Sequence, residues 1–245
     1  MYLCSINNMN EFWKSEMDAG YYDKIFKSGE ISQRGIQSNW HRSTFLKVLS
    51  LVKSSRLHLD YACGPGTFIG NFIKCKSIGT DISDVQIDYA NELYGQKANF
   101  IKLKDFNFDL YTGKFDSITV LGLLEFCDDK TNIELIDTLY NLLNKDGKLI
   151  LTTPNYGILM YFLEIILNKF GNINYKNQNV NKYNKYKLKE LVKKSKFQNL
   201  NVMRHLNFGI FMSFFSYKKA DKFMNLIDKI FKNFFGSLLI VELRK

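Results

Sequence analysis

Proline is scarce in these 245 residues: there are two, Pro65 and Pro154. Each follows an apolar run that reads as a strand, so prolines punctuate strand ends and mark no linker between domains. The four cysteines, Cys4, Cys63, Cys75 and Cys127, form no CxxC pair and keep no regular spacing. A disulfide framework and a cysteine-based zinc site are therefore not expected, and reduced thiols in a cytoplasmic protein are. Long hydrophobic runs are missing as well. The longest, residues 158–167, is broken by Glu164, and it has about half the ~20 residues a membrane-spanning helix needs. Residues 1–10 place no basic segment before an apolar one, so no secretory signal is expected.

What is present favours one α/β domain. A chain that is 46% hydrophobic and 15% aromatic can bury a sizeable core. Its net charge of +10 is uneven. Residues 169–204 hold ten basic residues against the single acid Glu190. Such a stretch suits nucleic acid, an anionic membrane or a phosphorylated substrate, or simply covers a solvated surface. Base-stacking motifs are missing, so a nucleic-acid partner is not expected.

Short apolar runs alternate with helix-period segments, the pattern of βαβ units and a parallel sheet. Strands are expected at residues 56–60, 76–80, 99–103, 115–121 and 148–153, with helices at 67–74, 84–94 and 132–143 between them. An aromatic-rich helical segment, 11–53, precedes the alternation and holds Phe12, Trp13, Tyr21, Tyr22, Phe26 and Trp40. An apolar helix at 156–170 follows, then a basic helix at 185–196 and strands at 197–206 and 237–244. Within the last stretch, residues 220–235 form an amphipathic helix.

The chemistry sits in Asp60-Tyr61-Ala62-Cys63-Gly64-Pro65-Gly66. An apolar strand ends in an acid, and a glycine-rich turn then opens a helix. Glycines let a ligand approach the backbone and permit the dihedrals of the turn. A dinucleotide fingerprint would be GxGxxG, but position 69 is Ile, and Pro65 removes an N–H that a pyrophosphate would use. A nicotinamide-dependent oxidoreductase is thereby disfavoured. A non-catalytic binding protein on the same fold is disfavoured by the intact Gly64, Gly66 and Asp81.

The segment resembles the D-x-x-C/G-G-x-G motif of class I methyltransferases that use S-adenosylmethionine (SAM). Further motifs follow in order over about 100 residues, 57–155. The resemblance implies a Rossmann-like, seven-stranded, mostly parallel sheet with helices on both faces. It also implies an N-terminal helical cap at 1–53, a SAM-binding core at 54–155, and substrate-side helices and the last two strands at 156–245. It places SAM against Asp60, Ala62, Cys63, Gly64, Pro65 and Gly66. Asp81, with Ile82 beside it, would accept the ribose hydroxyls. Asp105, with Phe106, would meet the adenine, and Leu121 and Gly122 the methionine part. The nearest likeness is to small-molecule methyltransferases of quinone biosynthesis and their lipid- and glycan-modifying relatives. Some of those use a Glu-His pair after the fourth strand; here Phe126 follows Glu125, so no metal is expected.

Methyl transfer from a sulfonium is a displacement, with a base only where the acceptor must lose a proton. His41 is the candidate base, and Arg42 a candidate partner for the SAM carboxylate, both in a segment expected to lid the cofactor. His58 reads as core. The [DN]PP[YF] motif of nucleobase amino-methyltransferases is missing after the fourth strand. The expected acceptor is therefore a hydroxyl on a small or amphipathic molecule. The 220–235 helix and the lysines of 182–196 could together give weak attachment to an anionic membrane. The oligomeric state is left open.

Overall fold

The computed structural model describes residues 13–14, 17–52, 54–170, 179–231 and 234–245. Its strands are β1 Leu57–Tyr61, β2 Lys76–Asp81, β3 Asn99–Lys102, β4 Phe115–Leu121, β5 Leu143–Pro154, β6 Asn199–His205 and β7 Leu238–Arg244. Its helices are α1 Tyr21–Ser32, α2 Ile36–Val52, α3 Thr67–Phe72, α4 Asp84–Tyr94, α5 Asp129–Leu142, α6 Ile158–Phe170, α7 Lys185–Lys193 and α8 Tyr217–Phe231. Phe12, Lys176 and residues 232–233 of the expected C-terminal helix lie outside the described residues.

The strands form one sheet in the order β3-β2-β1-β4-β5-β7-β6. Pairs β1–β2, β2–β3, β1–β4 and β4–β5 are parallel, and β7 runs antiparallel to both β5 and β6. After β3 the chain returns across the sheet to lay β4 beside β1. Helices then leave β1 and β4 in opposite directions, which opens a crevice at their carboxyl ends. The fold is the expected Rossmann-like architecture, and the crevice is where the site lies.

Alternation along the strands splits the core. Leu239, Val241 and Leu243 of β7 join Leu59, Ile118 and Leu149 under α5 and α7. Leu238 and Ile240, pointing the other way, join Val48, Leu163, Ala220 and Met224 from α2, α6 and α8. Helix α7 and helix α8 therefore sit on opposite faces of the sheet. The lysines of α7 therefore lie across the sheet from the C-terminal amphipathic helix, while Lys182, beside Glu164 of α6, does not, so the expected stretch 182–196 and that helix do not form one continuous surface.

Local chemistry sets several element ends. Asp128 caps α5 by accepting the Thr131 N–H, and Asn184 caps α7 through the N–H groups of Tyr186 and Lys187. Strand β5 begins at Leu143, ahead of the expected residue 148, because it continues past Asp146-Gly147 with a register shift opposite Phe115–Ser117.

The N-terminal helices are pinned to α4 by buried polar groups. Asp23 accepts the hydroxyls of Tyr94 at 2.7 Å and Tyr89 at 3.0 Å and pairs with Lys27 at 2.8 Å. Gln86 accepts the Gly20 N–H at 3.0 Å and donates to the Asp18 carbonyl at 2.9 Å. A buried charge with this many partners holds a docking geometry more strictly than apolar contact does.

Candidate active site

A cavity opens at the carboxyl ends of β1 and β4, roofed by α2 and the segment around Met17. One half of it is backbone. Strand β1 delivers Asp60, and the following turn runs through Ala62, Cys63, Gly64 and Pro65, all of which line the cavity. Ala62 has φ 59 and Gly64 φ 52. A left-handed alanine costs about 1 kcal/mol and persists only where the surroundings hold it. A Cβ placed on Gly64 would meet nothing within 4 Å, so its open side is free for a ligand. Asp81, at the end of β2, fixes this turn: Oδ2 accepts the Gly64 N–H at 2.8 Å and Oδ1 the Ser83 N–H at 2.9 Å.

Beneath the turn runs a chain of buried polar groups. Ser117 Oγ lies 2.8 Å from His58 Nδ1, and His58 Nε2 lies 3.1 Å from Thr119 Oγ1, which donates to Asp60 Oδ1 at 2.6 Å. Burial holds His58 neutral, its pKa lowered to about 3, and raises Asp60 to about 7. His58 is core, as expected. Asp60 is a carboxyl that a cationic ligand would return to its charged state.

The other half of the cavity is built from distant side chains. Glu125, in a short 3-10 helix after β4, is buried and accepts the Thr153 hydroxyl at 2.9 Å. Burial raises its pKa to about 7. Tyr156 accepts a hydrogen bond from Asn179 Nδ2 and stands under Lys182, whose Nζ is 5.1 Å from the ring centroid. Glu164 of α6 keeps Oε1 buried and without a hydrogen-bond partner, with Lys182 3.7 Å from its other oxygen. Trp40, His41 and Phe45 complete this wall from α2. His41 packs edge-on to Tyr22, with ring centroids 5.2 Å apart, and burial lowers its pKa to about 4.

Four residues expected at the cofactor, Arg42, Asp105, Phe106 and Gly66, do not line the cavity. Arg42 points away from the cavity. It donates to Asp221 at 3.1 Å and to Asn39 at 3.0 Å, with its guanidinium over the Tyr217 ring, and so ties α2 to α8. Asp105 and Phe106 miss the cavity because β3 stops at Lys102 and a 3-10 turn follows. The turn buries Leu103 at the cavity wall and leaves Asp105 exposed. Phe106 stacks on Tyr111 in the core, with centroids 5.0 Å apart. Gly66 lies behind the turn and does not line the cavity. A Cβ there would stand 2.7 Å from Phe100 and 3.0 Å from Ala90, so its role is close packing of α3 and α4.

Ile82, Leu121, Gly122 and His41 do line the cavity. The sequence reading missed Glu125, Tyr156 and Glu164 as site residues. The break that Glu164 makes in the apolar run 158–167 was the visible signal. A lone acid inside an apolar helix needs a reason to be there.

A family model described as a methyltransferase domain matches residues 37–202. No curated protein matches the chain. Among solved structures, a SAM-dependent methyltransferase from Archaeoglobus fulgidus aligns at 16% identity and TM-score 0.60, covering 84% of this chain and 94% of that one. A SAM-dependent methyltransferase from Thermotoga maritima, described as a possible histamine N-methyltransferase, aligns at 20% identity and TM-score 0.58, covering 84% and 90%. Magnesium protoporphyrin IX methyltransferase from Synechocystis PCC 6803, with bound SAH, aligns at 14% identity and TM-score 0.56, covering 96% and 97%.

Proposed function

Because this chain belongs to the methyltransferase-domain family, we propose that it methylates a hydroxyl oxygen of a small or amphipathic acceptor, with SAM as donor and Glu125 taking the acceptor's proton. The charge of the cavity carries this reading. Asp60, Asp81, Glu125 and Glu164 line it, and no Lys or Arg does among the described residues, in a chain of net charge +10. SAM has a sulfonium and an ammonium to set against these carboxylates, whereas the pyrophosphate of a nicotinamide dinucleotide would be repelled. The buried hydroxyls of Tyr61, Thr67 and Thr80 have no hydrogen-bond partner and line the same cavity, so a polar ligand fits there.

Bound SAM supplies the methyl group on its sulfonium. The protein's part is to place the acceptor and hold its proton. Asp81 presents the remaining lone pairs of both oxygens to a diol, and Asp60 faces a cation. Glu125, with a pKa of about 7, is ionised in part of the population at neutral pH and strong enough as a base to accept a hydroxyl proton as the bond to methyl forms. His41, at about 4, is a weaker base and serves instead as a neutral wall of the acceptor pocket.

Titration calorimetry with SAM and with SAH tests the cofactor half, and binding of neither at millimolar concentration ends the proposal. The acceptor half is tested with methyl-labelled SAM and a panel of phenols, amphipathic alcohols and amines read by mass spectrometry. Label on hydroxyl oxygens is expected; label on amines alone would overturn the assignment of oxygen.

A further inference from the structure

Helix α8 is amphipathic, yet the structure buries only part of its apolar surface. Tyr217, Ala220 and Met224 pack inward. Phe223 is 45% exposed, Leu226 51%, Ile230 61% and Phe231 49%. Phe214 and Phe215, just before the helix, are 68% and 66% exposed. Residues 223, 226 and 230 share one stripe at helical spacing. That stripe is extended beyond the helix by Phe234, whose ring packs against Phe235, which in turn meets Phe208 and Phe231. Apolar surface of this extent, outside the core, marks a contact site.

Charge identifies the occupant. Both acids of α8 are engaged by the protein itself: Asp221 by Arg42 at 3.1 Å, and Asp228 by Asn207 at 2.7 Å. Lys218, Lys219, Lys222 and Lys229 are exposed and make no ion pair among the described residues. The helical period sets Lys218, Lys222 and Lys229 along one edge of the apolar stripe. Arg204 adds a further cation, its guanidinium 5.4 Å from the Phe234 ring centroid. Aromatic side chains bordered by unpaired lysines match a bilayer interface with anionic head groups, where both burial and charge contribute.

We propose that α8 docks the protein on an anionic lipid surface, with Phe223, Leu226 and Ile230 entering the interface and the α8 lysines holding the head groups. The proposal deepens the reading above, since an amphipathic acceptor would reside at such a surface. A second helix supports it. α6 exposes Tyr161, Phe162 and Ile165 while Met160, Leu163 and Glu164 on its other side wall the cavity. Its buried Leu159, Met160 and Leu163 share a core cluster with Ala220 and Met224 of α8. No helix among the described residues is long and apolar enough to cross a membrane.

The test is co-sedimentation of the full chain with phosphatidylcholine vesicles, with and without phosphatidylglycerol, across a salt series. Binding to the anionic vesicles that weakens as salt rises is expected. Replacing Phe223, Leu226 and Ile230 together with Ser should cut that binding at least tenfold, at an unchanged melting temperature and SAM affinity. Replacing the four lysines with Gln should remove the preference for phosphatidylglycerol. Equal recovery in the supernatant with both vesicle types at low salt overturns the proposal. So does a lipid-free dimer in sedimentation velocity that the Ser variant dissolves, which would assign the stripe to a second copy of the chain. SAM affinity is measured separately, so loss of docking and loss of the methyltransferase reading are distinct results.

Discussion

The two halves of the cavity are made in different ways. The half around Gly64 and Asp81 is backbone: strand ends, a turn held by one carboxylate, and glycines with positive φ, all within 22 positions of Asp60. The half around Glu125, Tyr156 and Glu164 is side chains from the turn after β4, the end of β5 and α6, set against rings from α2. A shared ligand such as SAM needs a fixed shape, and hydrogen-bonded backbone supplies it. An acceptor that differs between relatives needs variable shape, which helices and loops on a rigid sheet provide.

The largest expected effect tests whether the halves are separable. Glu125→Gln should lower kcat with the acceptor found by labelling roughly 10²–10⁴-fold, while SAM affinity stays as it was. The folded pKa of Glu125 is raised to about 7, so it is protonated below that and becomes a competent base as pH rises through it. At saturating SAM the wild-type rate should climb across that range and the Gln variant should show no such limb. Stability moves the other way. The unfolded chain ionises Glu125 near 4.5 and Asp60 near 3.8, so both groups should lower stability as pH rises from there to about 7. A parallel loss of SAM binding in the Gln variant would show that the halves are one unit.

Next in size, Asp81→Ala should weaken SAM roughly 10- to 100-fold, the equivalent of about 1.5–3 kcal/mol for a charge-assisted pair. Asp105→Ala should leave SAM affinity unchanged, because that carboxylate is exposed and off the cavity. Calorimetry on both variants checks the pair. If Asp105→Ala proves the weaker binder, the turn after β3 carries the cofactor contact instead.

Within the backbone half the two glycines should part company. Gly66→Ala forces a Cβ to within 2.7 Å of Phe100 at φ 72 and should cost about 1–3 kcal/mol in urea unfolding. Gly64→Ala meets open space, so only the strain of φ 52 remains, about 1 kcal/mol, with its main effect on SAM affinity. Smallest of all, Arg42→Ala removes a half-exposed ion pair between α2 and α8 and should cost no more than about 1 kcal/mol. SAM affinity is expected to be unaffected; a marked loss would return Arg42 to the cofactor.

The sequence by itself determined the sheet, its mostly parallel order and the turn that lines one half of the cavity. Strand periodicity, an acid at a strand end and a glycine turn are local patterns and so are legible in the sequence, although Asp81, 17 positions from Gly64, then holds the turn in the folded chain. That Asp60, Gly64 and Asp81 would lie close together was legible for that reason, and all three line the cavity. Tertiary structure alone decided that Arg42 faces Asp221 across 179 positions, that a 3-10 turn sends Asp105 outward, and that Glu125 and Glu164 line one cavity. It decided too that α7 and α8 lie on opposite faces of the sheet, since the side on which a helix docks depends on crossover handedness and core packing between strands far apart in sequence. The amphipathic pattern of α8 was legible, but whether its second apolar stripe met the core or the solvent was not. A hydrophobic period fixes which residues share a face, while the packed neighbours fix where that face points.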